Sequence, residues 1–559
     1  MLQSHIGKDD FENSQRSPLP RAFRFLNARV LAVFLCLLLA IYQTPDLENL
    51  SAATASLLTD DGPVGYSVYH KNPDYFAGDV FGMIGAQSSV ASVQNWLPYL
   101  LEQNHGLPAI RSAQALVFLQ IFVLYVGSLV LGLAVTGSFA IALTYAILLQ
   151  AFEFWGWNLF HYGSSLHLNL ATQLSLGFWM LAAGFALGTH WIRFLLVSFI
   201  LVYVHPSMFV LLSTWFGISL LVNRFANPKQ RQPLIAVTAT LVVLLGSYLL
   251  VLGHYQRSPV EVLSSHEYFD ALSQFSHMFP WNYSDWGRYQ LPRFLIAGFV
   301  VTAAFLCIRA KLKSWQLISF YSFFATIAVY LLILGTAVSF EVVPLIKLMP
   351  LRWSYVFLSV FSIFLVWSAF LVVEWVCEKR KIPAAVQVAC FAFIIGGLSL
   401  QICRKADNAH AAMGSRENTD WLKAAEFVRD NTPKASRFML HGRGWRAASL
   451  RQAVEPRNLY FYIYNSSKEL YEHERKFQKF YGIEHLCKLP YRLEDCENAS
   501  YTAYMDLSAP KLVELARLSK ASHLVLPSNR DVSEAPELVE IYHNHSFKVY
   551  QVYKNGSQQ

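Results

Sequence analysis

Two aspartates, Asp74 and Asp79, stand five residues apart in the segment 69–81, YHKNPDYFAGDVF, with Asn72, Pro73 and Gly78 shaping the backbone around them. The first apolar run of the chain, 30–42, ends shortly before, so a crossing helix there delivers both acids to a membrane surface. A carboxylate held beside lipid can serve as a general base or a metal ligand toward a lipid-linked substrate. The same acids equally fit a solvated interfacial loop. Asp60 and Asp61 form a second acidic pair, in a TDDG stretch that reads as a turn.

A second concentration of chemistry-bearing residues falls in 254–292, where His266, Glu267, Asp270, His277, Asp285 and Arg288 are interleaved with Phe279, Trp281 and Trp286. Stacking rings beside directed hydrogen-bonding groups suit a sugar or a phosphate, and an aromatic membrane belt explains them about as well. No His pair there has the i, i+4 spacing with a third ligand that zinc needs. A third candidate is Arg352, in PLIKLMPLRWSY just before an apolar run, where a cation can pair with a lipid phosphate. Lys347, in the same stretch, reads as a snorkelling lysine. Glu153 in FEFWGWN lies at or near membrane depth, and His205-Pro206 reads as a structural break.

The elements that must position these groups are apolar helices. Of 559 residues 54% are hydrophobic and 15% charged, far below the quarter usual in soluble domains, which indicates a polytopic membrane protein. The formal charge of +8 gathers at the ends of apolar runs, the positive-inside pattern, and does not point to nucleic acid. After 30–42, runs near 113–133, 138–157, 173–190, 194–204, 207–222, 234–253, 293–308, 315–338, 353–375 and 384–403 bring the expectation to about eleven helices. The runs flanking His205-Pro206 are short enough to read as a broken pair of half-length helices.

Cationic clusters at Arg224/Lys229/Arg231, Arg309/Lys311/Lys313 and Lys379/Arg380/Lys381 fall on one side, together with the basic tail 1–29. That side is expected to be cytoplasmic, which puts loops 44–112 and 254–292 and the segment 404–559 outside. The domain division is therefore a tail 1–29, a membrane unit 30–403 and an outer domain 404–559. In the last, 420–429 and 510–518 read as helices and 437–441, 523–527 and 546–553 as strands, an α/β unit. Residues 93–101 read as an interfacial helix with Trp96 and Tyr99 at headgroup level. Most of the seven cysteines look like small core hydrophobes; Cys487 and Cys496 stand close enough to pair or to remain free.

This layout resembles the GT-C superfamily of integral membrane glycosyltransferases, and more closely a group of bacterial GT-C-like proteins of unassigned substrate. Three segments carry the resemblance. The first is Asn72-Pro73-Asp74-Tyr75-Phe76-Ala77-Gly78-Asp79, and the second is His277 to Trp281. The third comprises Trp421, Ala425, Arg429, Thr432, Pro433 and Lys434, followed by Arg451, Ala453 and Val454. The resemblance implies a bacterial inner-membrane enzyme that moves a sugar from a polyprenyl-phosphate donor to an external glycan, lipid or protein. Asp79 would be the base, with Asp74 or His277 orienting the acceptor. Trp281 would line the substrate site, and Arg352 and Arg288 would stabilise the departing phosphate.

The sequence departs from the family's usual adjacent acids or acid-x-acid pair, which weakens the case for a divalent cation at Asp74/Asp79. Two other classes stay open. One is a non-catalytic GT-C-like subunit of polysaccharide assembly; the other is a lipid-linked glycan transporter or polymerase. The scarcity of charge within the apolar runs argues against a transport path.

Overall fold

A computed structural model of the chain describes residues 28–45, 63–76, 79, 93–152, 159, 170–226, 238–246, 249–250, 263–273, 279–282, 286–348, 350–413, 415–440, 444–454, 468–481 and 502–553. Helices make up the first part, most of them apolar. They are α1 (Ala28–Gln43), α2 (Pro63–Lys71), α3 (Val93–His105), α4 (Ala109–Thr136), α5 (Phe139–Phe152) and α6 (Leu170–Leu187). There follow α7 (Trp191–Val204), α8 (Pro206–Ala226), α9 (Ser265–Ser273), α10 (Leu291–Ile308), α11 (Ser314–Ser339), α12 (Trp353–Arg380) and α13 (Ala384–Met413).

Among the described residues six helices are long and apolar enough to cross a membrane, and four further apolar helices are shorter. The chain is thus an integral membrane protein by helix length and composition. One expectation needs correcting. The runs around His205-Pro206 are not two half-length helices, because α8 extends over 21 residues and contains a full-length apolar span. The chain breaks where Pro206 removes a backbone donor: His205 is extended and caps α7, and Pro206 opens α8.

Close approach of backbones holds the bundle together, as expected where lipid supplies no hydrophobic drive between helices. A Cβ on Gly127 of α4 would stand 2.3 Å from the carbonyl oxygen of Gly177 on α6, and one on Gly184 would stand 2.9 Å from the Leu131 nitrogen. Further along, Phe305, Phe320, Phe361 and Phe364 interlock α10, α11 and α12, the Phe320 and Phe364 rings lying 4.7 Å apart. Two buried polar side chains cross-link the bundle: Trp215 Nε1 donates to the Ser319 carbonyl and the Tyr145 hydroxyl to the Ser359 carbonyl, both at 2.7 Å.

The C-terminal part is an α/β unit. It comprises α14 (Arg416–Asn431), β1 (Arg437–Met439), α15 (Trp445–Ser449), β2 (Gln452–Val454), α16 (Lys468–Phe480), α17 (Ala509–Leu518), β3 (His523–Pro527), β4 (Leu538–His543) and β5 (Phe547–Val552). One five-stranded sheet has the order β2-β1-β3-β5-β4. The β1 strand pairs in parallel with β2 and β3, while β5 is antiparallel to β3 and β4. The helix expected at 420–429 is longer at both ends, with Ser415 as its N-cap, and it buries the anticipated face of Trp421, Ala424, Ala425 and Val428. That face belongs to the same apolar cluster as Ala32, Cys36 and Ile402, so the α/β unit packs directly on the membrane helices. Cys487, Cys496, Glu153, Asp60 and Asp61 lie outside the described residues.

Candidate functional site

The loop carrying the two aspartates is built locally. Asn72 ends α2 by bonding both its backbone nitrogen and its side-chain amide to the Val68 carbonyl. Pro73 then opens a single 3₁₀ turn, Pro73–Phe76, in which Phe76 packs edge-on against Tyr69 with ring centres 4.7 Å apart. The Asp79 nitrogen donates to the Phe76 carbonyl at 2.8 Å. The two acids part company here: Asp74 is exposed, and Asp79 is only 3% exposed.

What covers Asp79 is the C-terminal unit. Arg446, fully buried on α15, donates its Nε to Asp79 Oδ2 at 2.7 Å, and the Ala453 nitrogen on β2 donates to the same oxygen at 3.0 Å. The Arg446 Nη2 also donates to the Ala453 carbonyl at 2.6 Å, which ties α15 to β2. Helix α15 is one turn pinned between two residues in the left-handed region, Gly444 at φ 72° and Leu450 at φ 53°. Glycine suits the first of these because a Cβ there would be strained. Leu450 takes the same region at a cost, and the surrounding packing must hold it.

Two further contacts bind the same loop. The Gln452 side-chain amide donates to the Tyr75 carbonyl at 3.2 Å, and Lys434 Nζ lies 4.8 Å from the centre of the Tyr75 ring. Lys434 and Ala453, both in the third segment singled out in the sequence, therefore meet the first segment directly. The local field is positive. Burial, reinforced by Lys476 and Arg437, pulls the His473 imidazole on α16 down to about 4, with the Asp79 carboxylate opposing.

Arg352 occupies a different setting. It is 6% exposed, on the turn Pro350–Arg352 that leads into α12. Its Nη1 reaches both ring nitrogens of His205, lying 3.0 Å from Nδ1. The same atom donates to Ser207 Oγ at 3.2 Å. His205 and Ser207 flank the break that starts α8, so a guanidinium, an imidazole, a hydroxyl and the first turn of a 21-residue helix share one place. Such a set presents several donors and a favourable dipole to an oxyanion.

Trp281 and Arg288, also expected at the site, lie on separate turns. Trp281 is partly exposed on a 3₁₀ turn, edge-on to Phe279 at 5.3 Å. Arg288 is exposed beside the Tyr289 ring at 5.1 Å, on a π-helical turn that precedes α10. His277 and Asp285 lie outside the described residues. Asp79 and Arg352 are held by separate partner sets, on a loop against the α/β unit and at the α7–α8 break respectively. The Asp79 carboxylate faces Arg446.

A divalent cation shared by Asp74 and Asp79 does not fit this arrangement, because a buried guanidinium is already paired with Asp79 and Asp74 is exposed. Among the described residues no three His, Cys, Asp or Glu side chains gather as a metal site.

Arg446, His205 and Ser207 were not legible as site residues. The GRGWR stretch around Arg446 offers only glycines, a tryptophan and charge in the sequence, and the partner of Arg446 is 367 positions away. His205 was legible only as the residue before a proline.

No family model matches the sequence, and no curated protein matches it significantly. Among solved structures the chain is similar to ArnT from Cupriavidus metallidurans in the apo state, at 11% identity and a TM-score of 0.43, covering 93% of this chain and 97% of that one. It is likewise similar to the same protein bound to undecaprenyl phosphate, at 12% identity, a TM-score of 0.40 and the same coverage.

Proposed function

We propose that this chain is a GT-C type membrane glycosyltransferase that moves a sugar from a polyprenyl-phosphate donor to an acceptor outside the cytoplasm. The observation that carries the reading is the Arg352–His205–Ser207 cluster: a buried cation with two further polar groups at the head of a long helix inside an apolar bundle. A lipid-borne phosphate is the anion that reaches such a place with its own apolar anchor. The three sequence segments shared with GT-C-like proteins support the same class, and the first and third of them touch.

In the reaction an acceptor hydroxyl oxygen attacks the anomeric carbon, and the bond from that carbon to the phosphate oxygen breaks. The electron pair leaves with the lipid phosphate, whose charge Arg352 offsets. The acceptor's proton passes to Asp79. Because attack comes opposite the leaving group, the anomeric configuration inverts. In the arrangement described here the Asp79 carboxylate is covered, so proton transfer requires the loop and the α/β unit to separate. In this reading the exposed Asp74 orients the acceptor, Arg288 joins Arg352 in offsetting the departing phosphate, and Trp281 lines the substrate site.

The test is turnover in lipid nanodiscs with a panel of polyprenyl-phosphate sugars, following release of polyprenyl phosphate. Arg352→Gln is expected to lose donor binding and Asp79→Asn to lose transfer while donor binding persists. Full transfer in Asp79→Asn removes that carboxylate from the chemistry. The buried Asp79–Arg446 pair also favours a second reading, in which the chain is a non-catalytic GT-C-like subunit and the acid is purely architectural. Absence of turnover across the panel, with donor binding intact, selects it.

A further inference from the structure

The α/β unit covers the aspartate that the reaction needs uncovered. Four contacts join that unit to the loop carrying it: the Arg446–Asp79 pair, the Ala453 nitrogen on Asp79, the Gln452 amide on the Tyr75 carbonyl, and Lys434 on the Tyr75 ring. The side chains of Arg446 and Asp79 are 0% and 1% exposed. A general base must come within about 2.6–3.2 Å of the hydroxyl it deprotonates. An acceptor outside the protein has no route to a carboxylate covered in this way, whose Oδ2 already takes two donors.

We propose that Arg446 is a positioning residue that acts through Asp79 as the clasp of a gate. It keeps the carboxylate covered against the α/β unit, and the acceptor reaches Asp79 only when the clasp opens. This inference rests on the glycosyl-transfer reading of Asp79 and adds to it the event that admits the acceptor. The architecture suits a clasp. Arg446 stands on a single turn fixed by Gly444 and Leu450 and tied to β2 through the Ala453 carbonyl, so its guanidinium is pre-set. Asp74, five residues earlier and exposed, stays in solvent whether the clasp is open or shut.

Carboxyl footprinting of the full-length protein in nanodiscs, with a carbodiimide and glycine ethyl ester read by mass spectrometry, tests the clasp without any substrate. Asp74 serves as the internal reference. In the wild type Asp79 is expected to react at least about tenfold more slowly than Asp74, as a covered group released only by local opening does. Arg446→Met should bring the two rates together, and Arg446→Lys, which keeps the charge, should restore part of the protection. Equal labelling of the two acids in the wild type overturns the clasp. So does unchanged protection in a folded Arg446→Met protein. If that variant does not fold, the wild-type ratio and Arg446→Lys decide the matter.

The gate is tested by joining Tyr75→Cys and Gln452→Cys with a short reducible cross-linker. Transfer should stop in the joined protein and return on reduction. Undiminished turnover while joined refutes the gate and leaves glycosyl transfer standing. A wild type that turns over no donor removes the transfer reading instead, and footprinting still reports on the clasp.

Discussion

Replacing Arg446 with methionine is the sharpest test of how this protein is held together. The guanidinium is fully buried and its Nε sits 2.7 Å from Asp79 Oδ2, so the change leaves a carboxylate out of water without its cationic partner. Breaking a buried pair by removing one partner costs about 3–5 kcal/mol. In a unit of the size of 404–559 each kcal/mol moves the unfolding midpoint by about 2–4 °C, so the expected fall is roughly 6–20 °C. The readout is tryptophan fluorescence, because Trp445 adjoins Arg446 and packs 5.7 Å from Trp421.

Asp79→Asn should lose a comparable amount, since it strands the cation. The double variant should fall well short of the sum of the singles, by about 0.5–3 kcal/mol of coupling. A loss below about 1 kcal/mol in Arg446→Met, the range of exposed pairs, would refute the burial on which the clasp rests.

Other outcomes follow from the same geometry. Under the proposed glycosyl transfer, Arg352→Gln should weaken binding of a polyprenyl phosphate in nanodiscs by about 10–100-fold, the loss of a charge-assisted contact worth about 1.5–3 kcal/mol, and Arg352→Lys should recover part of it. Gly177→Ala, whose Cβ would stand 2.8 Å from the Leu124 nitrogen, should force α4 and α6 apart and lower thermal stability in detergent. His523 is 5% exposed, and burial, aided by Arg451, pulls its imidazole down to about 4. Unfolded, it protonates near 6.5, so the unfolded chain binds the extra proton as pH falls. The α/β unit should therefore lose stability between about pH 6.5 and pH 4, by up to about 3 kcal/mol from this group, and level off below. His523→Gln should flatten that slope in pH-dependent denaturation.

Composition and the length of the apolar runs were enough to establish a polytopic helical protein with an α/β end, because a membrane span needs nothing beyond a long run of apolar residues. Helical spacing likewise determined which face of α14 is buried, and strand signals located β3 and approximated β1 and β5. The segment 72–79 stood out through its turn residues and its acids.

What Asp79 faces was settled only in three dimensions. Its partners, Arg446 and Ala453, lie 367 and 374 positions along the chain. No local pattern encodes a pairing made by folding a C-terminal sheet back onto the first loop. The same holds for Arg352 and His205, 147 positions apart and joined by helix packing. Sequence spacing determines which side chains share a helix or a turn, whereas tertiary packing decides whether a carboxylate meets water, lipid or a guanidinium, and so what it can do.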